Sequence, residues 1–341
     1  MVNIRTLKKS VIKVFSSLKN TTGTNVTAFI IVLLILIFLD YWIIIQERLT
    51  TWNDLKINII GEAHGIAFDI IVFGILISLY ESRRSNKELI LRYFEEIDDF
   101  RYWQNEEAAH RIAGIVKRLN RLGVNMFDFT DIYLKNANLG NTDLSNSDFW
   151  SANLREAYFA KSKMNYCRVT FGNFSSCNFA QTDLSFSYTD NLDIDEDYGD
   201  KDTNFSNAYF LGANLDNVKF VRVHGLGADF GAAKIRKSKF SSCYFESASF
   251  NSADLKDTSF IDTNLNYASF RYADLRNTKF LSVEFTDIDL EGAKISDRDL
   301  SKYFSSNEQN DFLQKYDTEP KSDSDEYGVY YVIRLKDSNN I

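Results

Sequence analysis

The chain has 341 residues, of which 45% are hydrophobic and 25% charged, and its formal net charge is −8 at pH 7. Its length allows more than one structural unit. The net negative charge excludes a general electrostatic attraction to nucleic acid but is compatible with a local basic patch. The three cysteines form no C-x-x-C pair. The composition therefore indicates neither a zinc site nor a redox motif, and free thiols are typical of a reducing compartment.

Residues 1–25 are a basic segment, and residues 26–80 are predicted to form a two-helix transmembrane hairpin. The first apolar run, 26–45, has about 20 residues, the length that crosses a bilayer. Lysines and arginines flank both outer ends of the hairpin. This pattern predicts that both termini lie in the cytoplasm together with everything that follows the hairpin. The membrane is expected to be the bacterial inner membrane. The second run, 57–80, contains three ionisable residues: Glu62, His64 and Asp69.

The ionisable residues of the second run allow two interpretations. Such groups cost roughly 2.5–3.5 kcal/mol each at the centre of a span and usually face protein or water. Gly61 and Gly65 would permit close helix packing. A homo-oligomer, taken as a tetramer, would then surround a pore with acidic rings of Glu62 and Asp69. The alternative is a plain anchor in the lipid bilayer, with Asp69 protonated or paired with His64.

Residues 81–123 are predicted to be a helical connector that ends in a cap for the next domain. Their apolar residues follow two helical stripes, and Gly123 is expected to stop the helix. The second stripe is predicted to cover an otherwise open sheet edge. Its members are Ala109, Ile112, Val116 and Leu119.

From residue 124 onward a large apolar residue returns at every fifth position, as in Leu139 and Leu144. A small residue stands two positions earlier, usually followed by Asp or Asn, as in Ala253-Asp254-Leu255. A five-residue period fits neither a helix nor an ordinary strand. The motif resembles that of the pentapeptide-repeat family. This resemblance implies a right-handed, four-sided parallel β-helix over residues 124–299.

A twenty-residue period supports stacked coils independently of that resemblance. Stacked identical side chains are expected where coils superpose about 4.8 Å apart. The cysteines occupy the small inward position of a repeat, which predicts buried thiols rather than metal or redox chemistry. One column consists of Phe210, Phe230, Phe250 and Phe270, and another of Leu215, Ile235, Leu255 and Leu275.

An acidic insertion, residues 186–202, interrupts the repeats. Its aspartates begin with the spacing of a calcium loop. However, Tyr198 and Asn204 replace the Gly and Glu that such a loop needs, so a solvated loop is predicted.

Residues 300–341 are predicted to form a cap helix, an acidic linker over residues 317–326 and a strand over residues 327–335. The strand is expected to join a sheet edge, either in this chain or on a protein partner.

A basic cluster surrounds a repeat that has lost its large filler, Val223-His224-Gly225. Like charges stacked at strand spacing repel each other. An anionic ligand such as an oligonucleotide, a nucleotide or an acidic protein would explain why these basic residues lie close together. The alternative is ordinary surface charge that nearby aspartates offset. The candidate binding residues are Lys219, Arg222, Arg236, Lys237, Lys239, Lys256, Arg276 and Lys279.

No set of nucleophile, base and acid appears in the sequence, so neither an enzyme nor a cofactor is predicted. The predicted fold class is an α+β membrane protein with two transmembrane helices, a helical connector, the β-helix and a C-terminal helix and strand. The leading hypothesis is an oligomeric, ion-conducting membrane effector that its β-helix controls by binding an anionic ligand. Its layout resembles that of anti-phage defence effectors. The alternative is a non-conducting tethered scaffold that binds a protein, including a topoisomerase through DNA mimicry.

Overall fold

A computed structural model describes residues 54–189, 202–299, 315–322 and 328–336. The chain divides into two compact units, Met1–Arg92 and Tyr93–Ile341. At residues 54–63 and 66 only the helical backbone is described. The first predicted span (26–45), most of the acidic insertion and the predicted cap helix lie outside the described residues.

Helix α1 runs Asp54–Phe100 and contains the second predicted span. Its uncharged stretch of residues 70–80 is bounded by Asp69 and Glu81, and such a stretch extends roughly 16 Å, about half of a bilayer core. Among the described residues, no helix combines the length and the apolar character that a membrane crossing requires. The predicted membrane-protein class and inner-membrane location are therefore wrong, and the transmembrane, ion-channel and antiviral assignments that depended on them are withdrawn.

Helix α2 (Glu106–Arg121) closes one end of the β-helix. The side chain of Asn105 accepts a hydrogen bond from the backbone N–H of Ala108 at 2.8 Å, which caps the helix start. Gly123 follows the helix with φ of +84°, a left-handed conformation that suits glycine. The predicted second stripe is buried as expected. Its members with zero or near-zero exposure are Ala109, Ile112, Val116 and Leu119.

The repeats form a parallel β-helix with four short bridges in each coil. Outside the coil that carries the insertion, each bridging residue pairs with the residue twenty positions later, as in Asp128↔Asp148 and Tyr133↔Asn153. Regular strands are short because a corner follows each bridge. They are β1 (Thr203–Asn204), β2 (Lys219–Val221), β3 (Val223–His224), β4 (Lys239–Ser241), β5 (Ser259–Ile261), β6 (Lys279–Leu281) and β7 (Lys294–Ile295).

The corners explain the five-residue period. The second residue after each large inward residue has φ close to +60°, as at Asn136, Asn146 and Asn217. Asn, Asp and Gly tolerate this left-handed conformation better than other residues do. One such residue in every five turns the chain, so the next large side chain points inward again.

Stacked side chains fill the core. The rings of Phe210, Phe230, Phe250 and Phe270 stack with centroid spacings of 4.7–4.9 Å and interplanar angles of 4–6°. Small inward residues donate to carbonyls of the preceding coil. Thr182 Oγ1 donates to the carbonyl of Phe159 at 2.7 Å, and the thiol of Cys177 to that of Leu154 at 2.9 Å. All three cysteines are free and buried.

The acidic insertion lengthens one coil without breaking the stack. Asn173 pairs with Asn204, 31 positions later instead of 20, so the insertion adds eleven residues. Asp202 closes its far end, accepting hydrogen bonds from Arg222 at 2.9 Å and contacting His224 at 2.8 Å.

A three-stranded antiparallel sheet covers the other end of the β-helix. Strand β9 (Val329–Leu335) lies between β7 and β8 (Tyr316–Ser322). The prediction of a C-terminal strand is confirmed, and the strand joins this chain's own last coil. Strand β9 pairs with β8 along its whole length and with β7 at Tyr331 and Val332. The predicted linker is wrong at residues 317–322, since β8 pairs with β9 over its whole length.

Candidate functional site

One face of the β-helix carries a continuous ladder of outward side chains in register. We call it the ladder face. At one end the ladder is acidic, and further along the rod it becomes aromatic and basic. Its members in order are Asp128, Asp148, Arg168, Tyr188, Lys219, Lys239, Ser259 and Lys279.

Four lysines on or beside the ladder face are exposed. Lys237 lies at the corner two residues before Lys239. Within the described part of the chain, none of the four forms an ion pair. Two charges at one strand spacing repel by up to about 1 kcal/mol in water. We call them the lysine group: Lys219, Lys237, Lys239 and Lys279.

The other predicted binding residues are neutralised by aspartates. Arg236 donates to both carboxylate oxygens of Asp216 at 2.5–3.2 Å. Lys256 lies 3.0 Å from Asp254 and 3.4 Å from Asp274. Lys256 and Arg236 therefore have less charge to offer a ligand than the lysine group, and the same holds for Arg222 beside Asp202.

Arg276 is a structural residue. Its side chain is 3% exposed and bonds Asp274 at 2.7 and 2.9 Å. Its guanidinium also lies 5.2 Å from the ring centroid of Tyr330 in β9. Burial opposes ionisation of Asp274, but its hydrogen bonds with Arg276 and the charges of Arg276 and Lys256 outweigh burial and lower its pKa. Arg276 thus links the last coils to the C-terminal sheet.

The residues predicted to lie in a membrane are all in α1. The side chain of Asp69 is exposed and that of His64 half-buried. An added Cβ at Gly65 would meet no atom within 4 Å. Gly61 and Glu62 are described only as helical backbone. With the membrane span withdrawn, nothing in the described residues supports ion conduction through them.

An aromatic patch that was not among the residues predicted from the sequence lies beside the lysine group. Tyr166 and Phe186 stack at a corner of the ladder face with ring centroids 4.8 Å apart, although they remain 50% and 44% exposed. Next to them Tyr188 is 38% exposed. All three are outward residues of the repeat. The sequence does contain a signal for two of them, because Tyr166 and Phe186 replace the Asn or Ser that is common at the corner position.

Comparison with known proteins identifies the repeats. The family model described as "Pentapeptide repeats (8 copies)" matches residues 128–165 and 152–187. The model described as "Pentapeptide repeat region" matches residues 201–270 and 233–303. A search of curated proteins found no match.

Three solved structures illustrate the likeness of fold. Rfr23 from the cyanobacterium Cyanothece 51142 is 14% identical, with 37% of this chain and 90% of that one covered and a TM-score of 0.29. The plasmid-mediated fluoroquinolone resistance protein QnrB1 is 14% identical, with 47% of this chain and 80% of that one covered and a TM-score of 0.31. HetL from the cyanobacterium Nostoc sp. strain PCC 7120 is involved in heterocyst differentiation regulation. It is 17% identical, with 50% of this chain and 84% of that one covered and a TM-score of 0.21.

These scores carry no argument about the partner of this chain. The repeat motif and the two family models agree with the coil register over the same residues. Residues 128–187 and 201–303 of the chain therefore consist of pentapeptide repeats.

Proposed function

We propose that the β-helix is a non-catalytic scaffold and that the lysine group binds an acidic surface of a protein partner. The supporting observation is the contrast between neighbouring cations. Arg236, Lys256 and Arg276 have aspartate partners, whereas the lysine group keeps its charge exposed. Stacked, uncompensated lysines lower stability, and an acidic partner would turn that cost into affinity.

Rigidity supports a binding role for this face. The backbone of Lys219 and Lys239 is held in a parallel ladder with neighbouring coils. A partner therefore has to order only the flexible ends of the lysines. Such preorganisation reduces the entropy lost on binding.

Several charges favour a protein over a nucleic acid. The whole chain has a net charge of −8, and the ladder begins with Asp128 and Asp148. A polyanion running along the rod would meet these carboxylates, whereas a protein surface can present acidic groups to the lysines alone. DNA mimicry is disfavoured for the opposite reason, because it needs an acidic face where this one is basic.

The test uses the full chain and two defined probes. Fluorescence anisotropy would measure binding of a labelled oligoglutamate peptide of about ten residues and of a thymidine oligonucleotide of the same charge. Replacing Lys219, Lys239 and Lys279 together by Glu should weaken peptide binding at least about tenfold, with a loss that shrinks at high salt. The control reverses three charges away from the ladder face: Arg155→Glu, Lys161→Glu and Lys315→Glu.

Equal peptide affinity in the ladder variant and the control would reject the proposal. So would the absence of peptide binding to the unmodified chain at low ionic strength. Tighter binding of the oligonucleotide than of the peptide would assign the surface to nucleic acid and overturn the choice of a protein.

A further inference from the structure

The aromatic patch of Tyr166, Phe186 and Tyr188 is continuous with the lysine group. Tyr188 is the register partner of Lys219, so their Cα atoms lie about one strand spacing, 4.8 Å, apart. Phe186 precedes Tyr188 by two residues at the adjoining corner, as Lys237 precedes Lys239. One flat face thus carries exposed rings in one half and exposed ammonium groups in the other.

Tyr166 and Phe186 occupy corner positions of the repeat. Tyr166 and Phe186 have φ of +60° and +61°, a left-handed conformation that disfavours bulky side chains. The next residues in the same corner column are Asn146 on one side and Asn217 on the other, with φ of +62° and +61°. Asn suits this conformation. Aromatic residues also occupy the corners at Phe171, Tyr267 and Tyr272, so the backbone alone does not mark a site. Tyr166 and Phe186 differ from these in that they follow each other in one corner column, stack on each other and lie beside the lysine group.

A cluster of packed side chains lies beside the patch around Arg168, the register partner of Tyr188. The guanidinium of Arg168 lies 3.9 Å from the ring centroid of Trp150 and bonds Asp148 at 3.0 Å. Trp150 in turn packs edge-on against Phe171 with ring centroids 4.7 Å apart. Tyrosine, tryptophan and arginine are the residues that contribute most to protein interfaces.

We infer that the aromatic patch is the apolar centre of the interface with the acidic protein partner. This inference rests on the proposed function and adds the chemistry of the partner. The partner presents an apolar pocket that takes Phe186 and Tyr166, followed along the rod by carboxylates that meet Lys219 and Lys239. Aromatic rings in a desolvated pocket supply affinity, and the charged rim supplies orientation.

Stacked rings also argue against nucleic acid at this patch. Tyr166 and Phe186 lie nearly parallel, with an interplanar angle of 6°. Each covers one face of the other. The stack closes one of the two faces of each ring to a base and so halves the area that a stacking platform would offer, whereas a protein pocket can also contact the exposed edges.

The decisive variant restores the usual corner residue. Tyr166→Asn with Phe186→Asn removes both rings and introduces the residue found at Asn146 and Asn217. The matched control, Tyr267→Asn with Tyr272→Asn, removes two exposed tyrosines whose φ values are also close to +60°. Because Asn relieves the backbone, the melting temperature of the first variant should not fall.

The experiment selects binders from a displayed library of random peptides of about twelve residues on the full chain. The selected peptides should combine apolar and acidic residues. Their affinity should fall at least about tenfold in the Tyr166/Phe186 variant and remain unchanged in the control.

Selected peptides that are acidic but not apolar, and that bind the aromatic variant as well as the unmodified chain, would overturn this inference and leave the proposed function standing. Peptides whose binding survives reversal of Lys219, Lys239 and Lys279 would overturn the proposed function itself. A clear fall in the melting temperature of the aromatic variant would make the patch a packing element. Displacement of the peptides by a thymidine oligonucleotide would replace the protein partner by a nucleic acid.

Discussion

Lys219 and Lys239 are register partners in adjacent parallel strands, so their side chains leave the same face one strand spacing apart. The next residue in this ladder is Ser259, followed by Lys279. A neutral polar residue is therefore compatible with the ladder, and the paired lysines are not required by the fold.

Removing one of these charges should stabilise the protein. Lys239→Thr removes the repulsion from Lys219 and places a residue of higher strand propensity in β4. We expect the free energy of unfolding to rise by about 0.2–1 kcal/mol at low ionic strength. Chemical denaturation at low and high salt would measure the gain, which should shrink as salt screens the repulsion. A loss of stability at low salt would contradict the argument.

Asp274 should be the most sensitive acidic residue of the rod. Asp274→Asn removes the carboxylate that bonds the guanidinium of Arg276, whose side chain is only 3% exposed. The expected cost is about 3 kcal/mol, measured by denaturant unfolding near pH 7. The control is Asp317→Asn, whose carboxylate is 72% exposed beside Lys336 and which should cost about 1 kcal/mol or less.

The pH dependence of the same pair follows from the lowered pKa of Asp274. In the unfolded chain the carboxyl titrates near its ordinary pKa of 3.8. A group with a depressed folded pKa stabilises the protein above its unfolded pKa and loses that effect as the pH falls through the folded value. The stability difference between the unmodified chain and Asp274→Asn should therefore shrink below about pH 4. A difference that stays constant down to pH 2 would refute the assignment.

The phenylalanine column should contribute strongly to stability. Phe250 stacks between Phe230 and Phe270 and is fully buried. Phe250→Ala should lower the free energy of unfolding by about 3–5 kcal/mol, because the neighbouring coils cannot collapse into the cavity. Exposed Tyr267→Ala serves as the control and should change it by less than about 1 kcal/mol. A small loss at Phe250 would mean that adjacent coils unfold independently.

The thiols should be unreactive in the folded protein. Burial raises the pKa of Cys167 and of Cys243 to about 12 and raises the pKa of Cys177 as well. A thiol-specific reagent at pH 8 should therefore label none of them until denaturant unfolds the coils, because only the thiolate reacts. Labelling followed by mass spectrometry would count the reactive thiols. Rapid labelling without denaturant would show that the coils open locally.

The repeated motif determined the β-helix and its inward columns from the sequence alone. Each coil contacts only its neighbours, so a local five-residue period is sufficient to place Phe210, Phe230 and Phe250 above one another. The buried cysteines followed from the same pattern, as did the covering stripe of α2. Within α1, however, hydropathy suggested a membrane span, and the structure contradicts it.

Tertiary structure decided the features that depend on partners distant in sequence. The acidic residues 317–322 belong to strand β8 because β9 pairs with them along their whole length. The free energy of this pairing is not part of the local strand propensity. Ion pairing in the folded chain also divides the basic residues into neutralised and exposed ones. Arg236 and Arg276 face aspartates within their own or the neighbouring coil, while the lysine group does not. Charge can be read from sequence, but neutralisation depends on the distance between side chains, which only the folded coils establish.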